Sequence, residues 1–299
     1  MKTSFALALT GLCFATAALA STPIDETRKL DAGASVWLDN VKGRIQVDVW
    51  DRDEIHIGGF LGEGVEKLSL DGSASALRVK VVYPKGGGWF GGGDGGEPSE
   101  LLVKLPANVE LSIDAVSAEV GVRGVAGRTL NIDSVSGDIE VDTGAGDVEI
   151  DVVSGDVTVQ AQSDKVSIES VSGDIELSGA IGRTVSVESV SGDISVDTGE
   201  RLRSIDAGVV SGDIEIRAAL ASNAQVNAES LSGDLELVLP TGTSARLKAS
   251  SFTGTLSSDA GRVIKPEHGP GSNLDTVLGD GDGDIVLETF SGDLTIRLR

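Results

Sequence analysis

From residue 111 onward, aliphatic residues alternate with polar residues in short segments, and turn-forming residues separate the segments. The alternating pairs are Ile139 and Val141, Val148 and Ile150, Val157 and Val159, Val166 and Ile168, Ile175 and Leu177, Val185 and Val187, and Ile194 and Val196. Alternation with a period of two predicts strands that bury one face. Gly, Ser, Asp and Thr between the segments favour tight turns. Since no segment after residue 110 has a helical period, the pattern predicts an all-β fold.

The tetrapeptide Ser-Gly-Asp-aliphatic recurs in this region, and its first six copies are 18 to 21 residues apart. The repeated turns are Gly137 and Asp138, Gly155 and Asp156, Gly173 and Asp174, Gly192 and Asp193, Gly212 and Asp213, Gly233 and Asp234, and Gly292 and Asp293. Degenerate copies at 116–119 and 252–255 extend the series. In chain order, the copy at 252–255 continues the series directly after Gly233.

A turn that returns at a nearly fixed period is typical of stacked coils. An antiparallel sandwich or barrel also needs tight turns, but it does not need the same turn sequence at a fixed period. We therefore predict a parallel β-solenoid of about nine coils with two strands per coil, which would be about 40 Å long at a strand spacing of about 4.8 Å.

The Ser-Gly-Asp motif is interpreted as the corner of each coil. Glycine accepts backbone angles that other residues avoid, and Ser and Asp accept hydrogen bonds from turn amides. We expect the apolar residue before each serine to point into the core. These residues are Val135, Val153, Val171, Val190, Val210, Leu231 and Phe290.

Residues 21–110 lack the repeat and are predicted to form an N-terminal β capping region that precedes the solenoid at 111–299. A Gly-rich loop is predicted at 84–98. Trp89 and Phe90 at its tip are candidate binding residues for a partner or a membrane surface, with a flexible loop as the alternative. A second loop insertion is predicted at 257–279.

The first twenty residues combine Lys2, an apolar run and Ala18-Leu19-Ala20, which is typical of a secretory signal peptide at 1–20. No later apolar run is long enough for a transmembrane segment. We expect an exported protein that is periplasmic, associated with the outer surface or secreted. The only cysteine, Cys13, lies in the signal peptide, so no disulfide is expected after cleavage.

The chain is strongly acidic, with a formal net charge of −23 at pH 7. Binding to nucleic acid needs clustered Lys and Arg, so nucleic acid is not expected as a partner. The partner is instead expected to be an unknown protein or glycan of the cell envelope.

Calcium is the one cofactor that the sequence brings into consideration. Asp280, Asp282 and Asp284 are spaced like the start of an EF-hand loop, but Ile285 and Ser291 occupy positions where that loop needs Gly and Glu. A mobile acidic turn is the alternative. The repeated Gly-Asp turns also resemble those of calcium-binding β-rolls, although the additional glycines are missing.

Catalytic motifs are absent from the sequence. His56 and His268 are the only histidines and lie in different regions, and no nucleophile elbow, phosphate loop or zinc-protease motif occurs. Parallel β-helix enzymes act on acidic polysaccharides through clefts with basic and aromatic residues, but residues 111–299 contain only Phe252 and Phe290 as aromatics. We predict that the protein is not an enzyme, with a polysaccharide-acting enzyme as a remote alternative.

The repeats, together with the segment GRIQVDVWDRDEI at 43–55, resemble the bacterial putative-adhesin family, a domain of unknown function. The resemblance spans nearly the whole chain after residue 20. It implies a β-solenoid in an exported or envelope protein and supplies no catalytic residues. The predicted function is therefore an adhesin-like or scaffold module that presents a rigid acidic surface, with a calcium-dependent surface module as the alternative.

Overall fold

The structure is a computed structural model that describes residues 21–84, 95–267 and 270–299. Its strands are β1 (Thr22–Lys29), β2 (Ser35–Trp50), β3 (Glu54–Leu61), β4 (Lys67–Gly72), β5 (Ala76–Val82), β6 (Ser99–Pro106), β7 (Glu110–Val125), β8 (Thr129–Ser136), β9 (Ile139–Thr143), β10 (Asp147–Ser154), β11 (Val157–Ser172), β12 (Ile175–Ser191), β13 (Ile194–Ser211), β14 (Ile214–Ser232), β15 (Leu235–Leu239), β16 (Ala245–Thr253), β17 (Leu256–Ser258), β18 (Ser272–Leu278), β19 (Gly283–Ser291) and β20 (Leu294–Leu298). All twenty belong to one sheet.

The sheet is wound into a parallel β-solenoid, as the repeat predicts. β10 pairs in parallel with β8 on one side and with β11 on the other, in continuous register. A long strand such as β11 forms both straight segments of one coil, and its register shifts between Ser163 and Lys165, where the chain turns a second corner. Each coil therefore has two straight segments. Nine coils follow one another from β7 to the far end of the stack.

The order of the last coils differs from chain order. β14 and β15 pair with β19 and β20, and these pair on their other side with β16 and β17. The coil at 283–298 thus lies between the coils at 225–239 and 245–258, although the coil at 245–258 follows directly after Gly233 in the sequence. The reason is that an interior coil must fit neighbours on both sides. The copy at Gly292 keeps the complete motif, whereas the segment 252–255 lacks the aspartate and lies in the last coil.

The residue before each corner serine points outward, so the inward assignment is wrong. Val171 is 48 % exposed, and the equivalent positions are similarly exposed. The reason is strand alternation: Val166, Ile168 and Ser170 are inward on β11, which leaves Val171 outward. Serine or another small residue fills the inward position at the corner instead.

The core is a single column of Val, Ile, Leu and Ala that runs through the stack. Near the N-terminal end, β2 pairs in parallel with β7 and continues this column. The antiparallel pairs β1–β3 and β4–β5 lie beyond it. At the opposite end, β18 pairs antiparallel with β16, within the segment predicted as a loop insertion at 257–279. Strand edges at both ends are therefore partly covered.

Among the described residues, no helix is both long enough and apolar enough to cross a membrane.

Candidate binding groove along the solenoid corner

The seven repeat glycines are stacked on one another at the corner of successive coils. Their φ angles lie between 113° and 158°, a range that L side chains rarely adopt. A Cβ atom added at Gly173 would lie 2.2 Å from the carbonyl oxygen of Gly155 in the preceding coil. The backbones of successive coils therefore approach more closely at this corner than any other residue allows.

The repeated aspartates link successive coils. The Asp174 backbone N–H donates to Asp156 Oδ1 at 3.0 Å, and the Asp193 N–H donates to Asp174 Oδ1 at 2.9 Å. The same bond runs from Asp156 to Asp138, from Asp213 to Asp193, from Asp234 to Asp213, from Asp293 to Asp234, and finally from Thr255 to Asp293. A single carboxylate thus satisfies an amide of the next coil, which explains why the motif needs Asp after Gly.

The outward residues before the corner serines form a continuous apolar column, here called the apolar ladder. It comprises Val116, Val135, Val153, Val171, Val190, Val210, Leu231, Phe290 and Phe252, which are 44 to 53 % exposed. The rings of Phe252 and Phe290 are stacked, with centroids 4.9 Å apart and planes inclined by 14°. Large apolar side chains therefore follow one another along nine coils without a polar interruption.

A second column, two residues earlier in each coil, carries carboxylates and is here called the acidic ladder. Its members are Asp114, Asp133, Asp151, Glu169, Glu188, Glu229 and Glu288, which are in register across the strands. Gly208 occupies the position between Glu188 and Glu229. The acidic ladder thus runs parallel to the apolar ladder, except at Gly208 and in the last coil, where Ser250 takes the equivalent position.

The space between the two ladders is a groove of about 1500 Å³, here called the corner groove. Its floor is formed by small inward residues such as Ala115, Ser134, Ser170, Ser189 and Ser230. Pro270 and Gly271 line it near Phe252. The corner groove is a long channel with one apolar wall and one acidic wall.

The carboxylates of the acidic wall repel one another. Partial burial raises the pKa of Asp151, and the neighbouring charges of Glu169, Asp133 and Glu149 raise it further. Burial also raises the pKa of Asp114, and so do the hydrogen bond that its protonated carboxyl donates to Asp39 and the negative charge of Asp39. In the described part of the chain, the ion pairs do not include Asp133, Asp151, Glu169 or Glu188.

The aspartates of the predicted calcium cluster have other partners. Asp284 accepts two hydrogen bonds from Arg246, at 2.8 and 3.0 Å, and this pairing lowers the pKa of its carboxyl. Asp282 accepts a hydrogen bond from Ser244 Oγ at 3.2 Å, and the Asp280 N–H donates to the same hydroxyl. No group of three potential metal ligands occurs among the described residues. The carboxylates of Asp282 and Asp284 therefore bind Ser244 and Arg246, and Asp280 joins them through its backbone N–H.

Trp89 and Phe90, and the signal peptide at 1–20, lie outside the described residues, and both assignments stay predictions. His56 is described and lies on β3. Its Nδ1 is 3.2 Å from Thr27 Oγ1 and 3.8 Å from Asp25 Oδ1, and its ring centroid is 6.1 Å from that of Trp50. These contacts place His56 near the N-terminal end, where it does not meet the corner groove.

The corner groove itself was missed in the sequence, although the signal was present. The alternation that places Val166 and Ile168 in the core also places Val171 outside. If the same inward and outward alternation is continued to the end of each strand, it identifies the apolar ladder. The acids two positions earlier lie on the same outward face of the strand.

Three comparisons place the chain among known proteins. Residues 45–297 match the model of a family described as Toastrack DUF4097. No curated protein matches the chain. Similar solved structures include one described as a putative cell adhesion protein from Clostridium sporogenes, with 11 % identity, 93 % of this chain and 100 % of that chain covered, and a TM-score of 0.22. Another is described as a putative adhesin from Bacteroides fragilis, with 10 % identity, 93 % and 98 % covered, and a TM-score of 0.43.

Proposed function

Since the chain belongs to the Toastrack DUF4097 family, we propose that it is an exported, non-enzymatic protein of the cell envelope that acts as an adhesin-like or scaffold module. Its function is to present a rigid acidic surface to another envelope component. The corner groove is the observation that carries this proposal, because it displays the same two kinds of side chain on successive coils.

Repetition favours binding over catalysis. An active site needs a few groups in distinct roles at one point, such as an acid and a base whose pKa values differ. The corner groove instead repeats an acid and an apolar side chain at intervals of one coil, about 4.8 Å. Such a surface suits a long partner that makes the same contact many times.

Rigidity supports the scaffold role. Interior coils are bonded to both neighbours through their strands, and from Asp138 onward the aspartate hydrogen bonds at the corner also join successive coils. Ladder positions therefore keep fixed spacings along the stack, so the surface is preorganised and little conformational entropy is lost on binding.

The proposal is tested by expressing the full chain in a bacterial host with a photo-crosslinking residue at Val171, and at Glu140 as a matched exposed control. We expect the chain to leave the cytoplasm without residues 1–20, and to crosslink to an envelope component from position 171 but not from position 140. Retention in the cytoplasm with residues 1–20 intact would contradict export.

Two further arms separate the alternatives. If a calcium chelator abolishes the crosslink and lowers the melting temperature, the calcium-dependent module replaces the proposed function. If an acidic polysaccharide is degraded by the protein and Asp151→Asn abolishes the turnover, an enzyme replaces it.

A further inference from the structure

The apolar ladder is an unusual surface for a soluble protein. Single exposed valines are ordinary, but contiguous apolar stripes with a polar border mark interaction sites. Nine large apolar side chains, each about half exposed, form one column here. The stacked pair Phe252 and Phe290 extends the column to the last coil. A partner that covers this column removes a substantial apolar area from water.

The acidic ladder specifies the charge of that partner. Seven carboxylates border the apolar column, and the charges of Glu169, Asp133 and Glu149 oppose ionisation of Asp151. A cationic partner converts this repulsion into attraction, and the net charge of −23 adds a long-range attraction for cations.

We infer that the corner groove binds an extended polypeptide segment of another protein, in which Lys or Arg residues alternate with apolar residues. This inference rests on the proposed function and names the class of its partner. In an extended chain, successive side chains point to opposite sides. A segment that runs along the corner groove therefore directs its basic side chains to the acidic ladder and its apolar side chains to the apolar ladder.

The dimensions fit such a segment. The corner groove passes nine coils, or about 38 Å at about 4.8 Å per step, which an extended segment of about twelve residues spans. The repeat of the peptide side chains, about 6.6 Å, differs from the coil spacing. Long, flexible Lys and Arg stems absorb this difference, so the groove recognises a pattern of residues and tolerates many sequences.

The two-sided groove favours this occupant over simpler polycations. A polyamine neutralises the acidic ladder but leaves the apolar ladder uncovered. A glycan usually binds on aromatic platforms, and in the described residues of the corner groove the only aromatic side chains are Phe252 and Phe290, in its last two coils. Only a partner with both cationic and apolar side chains uses both walls.

The test titrates the purified full-length protein with fluorescent peptides of about twelve residues. One peptide alternates Lys with Val, a second alternates Lys with Ser, a third alternates Glu with Val, and spermine is the competitor. We expect the Lys–Val peptide to bind at least about tenfold more tightly than the Lys–Ser peptide, because several valines are buried. The Glu–Val peptide is expected not to bind.

Protein variants assign the binding to the corner groove. Val171→Ser with Val190→Ser is expected to remove the preference for the Lys–Val peptide. Glu169→Gln with Glu188→Gln is expected to weaken both Lys peptides. The charge-matched control Glu140→Gln with Glu176→Gln alters exposed acids outside the corner groove and is expected to change neither affinity. All four positions in the groove variants are outward, so folding is retained, as a thermal melt verifies.

Gly208 gives a test that adds a contact. A Cβ atom there meets nothing within 4 Å, so a side chain is accommodated. Gly208→Glu fills the interior gap between Glu188 and Glu229 and is expected to tighten binding of the Lys–Val peptide by about threefold to tenfold, whereas Gly208→Lys is expected to weaken it.

Equal affinity of the Lys–Val and Lys–Ser peptides would overturn the inference, because only general electrostatic attraction would remain. If spermine bound with the same affinity as the Lys–Val peptide and displaced it, the groove would be assigned to small polycations instead. Binding that neither groove variant changes would place the site elsewhere. Since export and crosslinking do not enter this titration, its failure leaves the proposed function untouched, and a cytoplasmic location leaves the titration valid.

Discussion

At the scale of single residues, the corner makes two demands: a residue without a side chain, and then a residue whose side chain accepts a hydrogen bond. Gly173 has a φ of 122° and lies against the backbone of Gly155, where any Cβ atom would clash. Asp174 then supplies the acceptor for the next coil. The motif is a backbone requirement followed by a hydrogen-bond requirement, and neither involves the core.

The hydrogen bonds between corner aspartates of successive coils predict a difference between two substitutions. Asp174→Ala removes the acceptor of the Asp193 N–H and is expected to cost about 1 kcal/mol of unfolding free energy. Asp174→Asn keeps an oxygen acceptor and removes one of several stacked charges, so it is expected to be neutral or slightly stabilising. Urea denaturation of both variants measures the difference. Equal destabilisation would show that the charge, rather than the hydrogen bond, is what the corner needs.

Asp151 predicts a pH dependence. Burial and like charges raise the folded-state pKa of its carboxyl above the ordinary value of 3.8, so the folded state favours the protonated form. Stability from this group is therefore present below pH 3.8 and is lost as the pH rises through the raised pKa. We expect Asp151→Asn to melt at a higher temperature than the unsubstituted protein at pH 7, and to lose this advantage below pH 3.8.

The control for Asp151 is Glu140→Gln, an exposed acid that lies 3.1 Å from Arg123. Thermal melts at several pH values compare the two variants. A gain at neutral pH in Glu140→Gln as large as that in Asp151→Asn would show that net charge alone explains the effect.

At the scale of elements, the strand segments that lead into the corner contribute one face to the core and the other face to the two ladders. Ile168 and Ser170 on β11 are buried, whereas Glu169 and Val171 are exposed and belong to the acidic and apolar ladders. A shift of one residue in any strand would exchange these faces. The core requirement therefore fixes the register, and the register in turn fixes the corner groove.

The two faces are distinguished by Val157→Asp and Glu149→Gln. Val157 is 1 % exposed, so an aspartate there places an unpaired charge in the core and is expected to cost at least about 3 kcal/mol. Glu149 is exposed, and its replacement is expected to be nearly neutral. Circular dichroism melts compare the variants, and equal stability would refute the assignment of faces.

At the scale of the whole molecule, the chain doubles back before it ends. The coil at 283–298 enters between the coils at 225–239 and 245–258, so the last coil in space is not the last in sequence. The last hydrogen bond of the corner aspartates therefore involves Thr255, whose N–H donates to Asp293 Oδ1 at 2.7 Å. In the described residues, no further coil stacks on the coil at 245–258. Position 255 therefore has no backbone N–H of a next coil from which to accept a hydrogen bond, and an aspartate is not required there.

Engineered cysteine pairs test this order, since Cys13 is the only native cysteine. Leu231→Cys with Phe290→Cys places two thiols on adjacent coils, about 4.8 Å apart along the stack, within disulfide range. Leu231→Cys with Phe252→Cys places them two coils apart. We expect the first pair to oxidise to a disulfide and the second to stay reduced, as thiol titration measures. The reverse result would restore chain order.

The sequence by itself determined the all-β class, the parallel solenoid, its two strands per coil and the corner role of Ser-Gly-Asp, because these follow from local alternation and a short period. The outward position of Val171 was also determined by alternation, although the motif was interpreted as pointing inward. Only the tertiary structure decided the order of the last coils, because the sequence pattern does not specify which of several similar strands pair with one another. The corner groove is likewise a tertiary feature: neighbours in its walls are 18 or more residues apart in the chain, and only stacking brings them into two continuous ladders.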